Sequence, residues 1–208
     1  MTDSPALPGH VSPVPLAQAS RLMNHGPTVL VSAAHAGQHN LMAAAWAMPL
    51  DFEPPKVAVV VDKSTFTRQL IESSGCFALQ VPCAAQADLV TTVGNRSGQA
   101  LADAGRDKFG AYGIAHFTAG PIELPLVAGC IAWLACRVIP WPAVTAAHDL
   151  ILGEVVAAWA DDRVFQRGRW HFEAAPAALR SLHHLGGGHY VLPGDAVQGR
   201  AADDPLAG

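Results

Sequence analysis

The sequence predicts a mainly β protein with short helices, an α+β antiparallel β-barrel carrying helical decorations. Three observations point there. Apolar or alternating segments of strand length recur and are joined by short turns, as in hairpins. The helical segments are short and interspersed, without the regular strand–helix alternation that a doubly wound parallel sheet requires. Half of the residues are hydrophobic and 14% are charged, a core-rich composition rather than a disordered one. A chain of 208 residues reads as one domain with extensions. A domain of that size buries about 70% of its unfolded surface without disulfide staples.

Charge and cysteine usage narrow the function classes. The net charge is -4 and no basic stripe is visible, which excludes nucleic acid as a partner. Residues 1–20 carry no Lys or Arg and no long apolar run, so they do not read as a signal peptide. The longest strongly apolar uncharged stretch, 124–136, contains Pro125 and Gly129 and is too short to span a bilayer. A soluble, cytoplasmic protein is expected, with no membrane partner. Cys76, Cys83, Cys130 and Cys136 form no Cys-x-x-Cys pair, so buried thiols are expected rather than a zinc ribbon or a dithiol motif. The scarcity of charge implies that part of the apolar surface is hidden in an oligomer.

In chain order, residues 1–15 form a Pro- and Ser-rich tail and 16–24 a short helix stopped by His25-Gly26-Pro27. Residues 28–34 are a strand, Ala36-Gly37-Gln38 a turn, and 40–50 the returning strand. The prolines of Asp51-Phe52-Glu53-Pro54-Pro55 make a rigid connection to a buried strand at 56–61. Ser64 or Thr65 caps a helix over 65–73, and Gly75 ends it. Residues 77–81 alternate as a strand with one core face, 84–93 are helical and 94–98 a glycine-flanked loop. Strands at 126–139 and 150–159 bracket a turn at Pro140-Trp141-Pro142, and Gly153 marks a bulge or a close backbone contact. A short helix falls within 172–184, Gly186-Gly187-Gly188 is a joint, and Pro193-Gly194 is a turn. The domain therefore runs over 16–194, with 195–208 as a second tail.

Three segments together resemble the flavin reductase-like (flavoredoxin) family. The first is Thr28-Val29-Leu30-Val31-Ser32, then Asn40, then Ala45-Trp46-Ala47-Met48-Pro49-Leu50. The second is Asp51-Phe52-Glu53-Pro54-Pro55-Lys56-Val57-Ala58-Val59, leading into Ser64-Thr65-Phe66-Thr67-Arg68 and Ser74-Gly75-Cys76-Phe77. The third is His148-Asp149 followed by Gly153-Glu154-Val155-Val156, and Gly188-His189-Tyr190 is similar to a late family feature in which a Tyr follows a loop near the flavin. Two positions depart from the family pattern. Gln80-Val81-Pro82 stands where Asn-Val-Pro is usual, and Ala135 precedes Cys136 where Glu is common. The resemblance implies a Greek-key split β-barrel of the FMN-binding type, a homodimer, and FMN as cofactor with FAD as the alternative. It implies hydride transfer from NAD(P)H to the flavin, and onward delivery to oxygen, iron or a partner monooxygenase.

A flavin site needs a phosphate cradle, a polar edge for the pyrimidine ring and a mostly apolar floor. Ser64, Thr65 and Thr67 bring three hydroxyls to a helix start, with Arg68 and Lys63 as charges; an ordinary Ser/Thr helix cap is the alternative. The small residues Ala44, Ala45 and Ala47 beside Trp46 let a flat ring approach the backbone, though such a strand also packs tightly in a barrel. Asn40 reads as a ligand to ring or ribityl chain, or as a hairpin residue. Arg96 and Ser97 form either an anion nest or a solvated turn. His148 is the candidate for contact with nicotinamide or flavin, or a structural His at a strand start. His189 and Tyr190 either close over the site or pack the C-terminal segment.

No separate dinucleotide fingerprint is present, because Val191 stands where the last Gly or Ala of the pattern opened by Gly186 belongs. Three other classes stay open. They are a non-catalytic FMN electron carrier, a metalloprotein using His35, His39, His183, His184 or His189, and a scaffold.

Overall fold

A computed structural model describes residues 26–200 of the chain. The predicted tail at 1–15 and helix at 16–24 lie outside the described residues, as do 201–208. Seven strands form the main sheet: β1 (Val29–His35), β2 (Gln38–Ala44), β3 (Ala47–Phe52), β4 (Pro55–Val60), β5 (Cys76–Val81), β8 (Ala132–Ile139) and β9 (Leu150–Ala160). Short pairs add β6 (His116–Phe117) with β7 (Leu126–Val127), β10 (Phe165–Gln166) with β11 (Arg169–Trp170), and β12 (His183–Gly186) with β13 (His189–Val191). The helices are α1 (Phe66–Ser74), α2 (Ala87–Asn95), α3 (Gln99–Asp103), α4 (Lys108–Ala111) and α5 (Pro142–Ala147).

Every pairing in the main sheet is antiparallel, in the order β2-β1-β5-β8-β9-β4-β3. The strands β2 and β3 are therefore opposite edges, yet they are consecutive in the chain. Three peptide steps from Ala44 to Ala47 span about 11 Å at most. The sheet must curl until its two edges nearly meet, which makes a barrel open at one seam. Ala45 and Trp46 bridge that seam, and the Val60 amide extends the β3–β4 ladder onto Trp46 by donating to its carbonyl at 2.9 Å.

Two apolar layers hold the barrel. Inside, Val29, Val31, Val57, Val59, Phe77 and Leu79 pack with Phe66, Leu70 and Ile71 of α1. Outside, Leu30 and Leu41 pack with Val90, Val93, Phe109 and Leu182, so α2, α4 and the C-terminal segment cover the outer face of β1 and β2. The strand β5 is buried on both faces, not one, because residues 124–127 cover Ala78 and Gln80. Gln80 tolerates full burial because its amide is saturated. It donates to Ser32 Oγ at 2.9 Å and Pro125 O at 3.3 Å, and it accepts from the Val127 amide at 2.6 Å.

Several segment boundaries differ from the sequence reading. The strand expected over 40–50 is two strands, since the chain changes sheet edge at Ala45–Trp46. The rigid connection at 51–55 is a tight hairpin turn, with Pro55 as the first residue of β4, where a missing donor is tolerated. Gly94 and Asn95 belong to α2 rather than to the following loop. The strand expected over 126–139 breaks between β7 and β8 where Gly129 takes φ +87°. After Pro140 and Trp141 the chain forms a helix, α5, with Pro142 in its first turn. The helix expected within 172–184 is a single 3₁₀ turn at Ala177–Leu179, followed by β12. Gly186, Gly187 and Gly188 all have positive φ and make the β12–β13 connection.

Gly153 is a close-contact glycine. A Cβ there would lie 2.5 Å from Phe77 Cζ and 3.1 Å from Cys136 Cβ. The bulge between β8 and β9 falls nearby, at the step from Ala135 to Cys136, and leaves Val156 without an opposite partner. Phe77 is fully buried and cannot step aside. Gly153→Ala is therefore expected to cost about 2 kcal/mol of stability by overpacking. Urea denaturation measures it, and an unchanged midpoint would show that the Phe77 ring yields.

The cysteines are free thiols; Cys83, Cys130 and Cys136 are buried and Cys76 half-buried. Burial pushes all four thiols above their ordinary range, that of Cys136 to about 12. Among the described residues, no helix is long and apolar enough to cross a membrane.

Candidate functional site

The candidate residues gather along β2, next to the seam. Asn40 is the junction. It is 3% exposed, and its Nδ2 donates to Thr67 Oγ1 at 2.8 Å, which ties β2 to the first turn of α1. On its other side sits Gly98, where a Cβ would fall 2.2 Å from Asn40 Oδ1. Three segments picked out separately in the sequence, 40, 64–68 and 96–98, thus meet at one side chain. Asn40 Oδ1 is buried and has no partner among the described residues.

The helix start is built largely from its own residues. Thr65 is the N-cap of α1: its Oγ1 accepts from the Arg68 amide at 3.3 Å and donates to Asp62 O at 2.8 Å. Ser64 is exposed, and its hydroxyl and amide both donate to Asp62 Oδ1 at 2.7 Å. Those bonds hold the Asp62 carboxyl below its ordinary range. Thr67 is fully buried beneath Asn40. Arg68 is 1% exposed and turned inward, with Nη1 on Val61 O at 2.8 Å and Nε on Glu72 at 2.7 Å.

A cavity of about 500 Å³ opens further along β2, on its outer face. Ala43, Ala44 and Ala45 form one wall, α2 a second, and the β12–β13 hairpin a third. Small residues keep it open: a Cβ on Gly94 would press on Ala43 at 3.2 Å. Tyr190 lines it, half-buried, with its hydroxyl 3.1 Å from Thr91 Oγ1 and its ring tilted against His184. Thr28, just before β1, also lines it and is fixed by its amide donating to Leu182 O at 2.7 Å.

The predicted residues divide as follows. Ala44, Ala45 and Tyr190 come together in the cavity; Trp46, half exposed, crosses the seam, and Ala47 opens β3 on the opposite edge. Arg96 and Ser97 are exposed on the loop beside Asn40. His189 is exposed on the β12–β13 hairpin and does not line the cavity. His148 is exposed at the end of α5; its neighbour Asp149 accepts from the Lys63 amide at 3.2 Å, which places His148 at the 62–65 turn rather than in the cavity. Thr28, Thr91 and Asn95 were not anticipated. Thr91 and Asn95 share a helix face at i, i+4 and could have been found; Thr28 opens the first resembling segment, but its sequence reads only as a strand start.

The sequence carries the same grouping. The family model described as Flavin reductase like domain matches residues 20–177. This chain belongs to the flavin reductase-like family. It is similar to the crystal structure of an FMN-binding domain of a flavin reductases-like enzyme from Shewanella baltica OS155, at 49% identity and a TM-score of 0.80, covering 90% of this chain and 96% of that one. It is 46% identical to the uncharacterized protein YddH of Escherichia coli K12 over 89% of this chain and 96% of the relative. The flavoredoxin of Methanosarcina acetivorans shares the fold at 24% identity and a TM-score of 0.67, covering 84% of this chain and 88% of that one. The mainly β architecture with its open seam is the FMN-binding split barrel of this family.

Flavin fits what the residues offer. The cavity is of ligand size, its wall of alanines and glycine admits a flat ring, and two buried oxygens, Thr28 Oγ1 on a lining residue and Asn40 Oδ1 further along β2, lack partners among the described residues.

Proposed function

We propose that this chain binds FMN along β2 and works as an NAD(P)H-dependent flavin reductase. The observation that carries the reading is the Asn40–Thr67 bond, which locks the 62–67 turn to the strand that walls the cavity. Ring floor and phosphate cradle then belong to one rigid unit, as a cofactor spanning both requires. In this reading Thr67 and the 96–98 loop serve the ribityl–phosphate end, Ala44 to Ala47 the ring, and His148 the side of the 62–65 turn. FMN supplies the two-electron chemistry when bound. The chain's contribution is to orient the ring, exclude water with the β12–β13 hairpin and leave an open face for NAD(P)H.

A homodimer is part of the proposal. Met48, Leu50 and Phe52 alternate along the edge strand β3 and are exposed, Phe52 at 96%. An apolar edge strand of that kind invites cover by a second copy next to the seam. Reduced flavin would pass to oxygen, iron or a partner monooxygenase.

Fluorescence titration of FMN with the purified protein, then addition of NADH and NADPH, tests the reading. Saturable quenching at one flavin per chain with oxidation of either nucleotide is expected. Quenching without oxidation would favour a flavoredoxin-like carrier, and no quenching would overturn flavin binding.

A further inference from the structure

Two side chains of the cavity, Thr28 and Tyr190, carry a hydrogen-bonding pattern more specific than the flavin assignment requires. Thr28 is 3% exposed, lines the cavity, and its Oγ1 has no hydrogen-bond partner among the described residues. A buried hydroxyl without a partner is costly and is retained where something outside the chain satisfies it. The proton inventory of Tyr190, which also lines the cavity, is settled by its neighbour. Thr91 has a single hydroxyl proton, and it goes to Ala87 O at 2.9 Å. The 3.1 Å contact between Thr91 Oγ1 and Tyr190 Oη is therefore a bond donated by Tyr190. Tyr190 Oη then keeps its acceptor lone pairs and Thr28 Oγ1 its proton, on two residues that both line the cavity.

We propose that Thr28 and Tyr190 read a neutral amide edge, a carbonyl oxygen beside an N–H, with Thr28 donating to the oxygen and Tyr190 accepting from the nitrogen. The inference rests on the flavin reductase reading for its ligands, since two groups in that reaction carry such an edge. One is the pyrimidine side of the flavin ring, and the other is the carboxamide of nicotinamide. A carboxylate does not fit, because it would set its charge against the Tyr190 lone pairs.

The test uses the full chain and Thr28→Val, with Thr28→Ser as the conservative rescue and Tyr190→Phe for the second contact. Valine has the shape of threonine and removes the unpartnered hydroxyl, so apo stability is expected to hold or rise. Ligand affinity is expected to fall about tenfold, and Ser to restore it. Titrations with FMN and with nicotinamide, and the KM for NADH, separate the sources. A raised FMN dissociation constant assigns the flavin edge. An unchanged FMN constant with a raised NADH KM and weaker nicotinamide binding assigns the carboxamide. If the wild-type protein binds nicotinamide in a Thr28-dependent way but no FMN, the amide site stands and the flavin reading falls. If FMN and NADH act alike on wild type and Thr28→Val, or if the variant only loses stability, the amide site is overturned while the flavin reading stands. Binding of neither probe by the wild type overturns both.

Discussion

Arg68→Ala is expected to lose about 4 kcal/mol of folding stability. The guanidinium is 1% exposed, and its Nη1 satisfies the carbonyl of Val61, itself fully buried at the end of β4. Deleting it strands that carbonyl, at about 1–3 kcal/mol. It also empties the volume of the buried stem against α1, at about 2 kcal/mol or more. The ion pair with Glu72 adds little, because that carboxylate is 56% exposed. Arg68→Lys is expected to recover only part, since one ammonium cannot reproduce the geometry of the planar fork. Chemical denaturation measures the loss, and FMN titration on the folded fraction discriminates the roles. Unchanged stability with lost FMN affinity would make Arg68 a phosphate ligand, as the sequence alone suggests, and would contradict its inward orientation.

Arg68 also shows why the site was only partly legible. Charge and position in Ser64-Thr65-Phe66-Thr67-Arg68 reveal a helix start, and Thr65 and Gly75 do cap α1. They do not reveal which way a long side chain turns, because that depends on the Val61 carbonyl arriving from another element. The seam was missed for a similar reason. Nothing in Ala45-Trp46 punctuates the run, as a glycine or proline would, and only the closure of the sheet forces the chain across from β2 to β3. Gln80 sat at a position that alternation assigns to solvent, yet three hydrogen bonds make it a core residue. Residues 99–123 hold only the short α3, α4 and β6, too brief for any period to register. The family resemblance supplied the ordering of these pieces, and the bond from Asn40 to Thr67 turns two of them into one site.

The segment without periodicity also carries a buried lysine with a large expected pH effect. Lys108 in α4 is 2% exposed, and its Nζ donates at 2.8 Å to Leu41 O of β2 and to Val93 O of α2. Both partners are carbonyls, so no carboxylate among these bonds offsets the cost of burying an ammonium. Burial lowers its pKa from 10.5 to about 8. A neutral amine still has two N–H groups, one for each carbonyl, so the strap between β2 and α2 survives deprotonation. The native group releases its proton near pH 8 and the unfolded chain near 10.5, so between those values the unfolded state holds more protons and stability rises with pH. Other titrating groups contribute equally to wild type and to Lys108→Met, and cancel in the difference. The stability of wild type relative to Lys108→Met is therefore expected to increase by about 3 kcal/mol from pH 7 to pH 11. Urea denaturation of both proteins across that range measures it. A difference that stays flat would mean an ordinary lysine pKa and access of water to Nζ, and one that falls would mean that the charged form is favoured in place. Because Leu41 lies two residues before Ala43 and Val93 one before Gly94, and Ala43 and Gly94 approach closely at the cavity wall, the same strap sets the spacing of the site. Lys108→Met is accordingly expected to weaken FMN binding at neutral pH even where the protein remains folded.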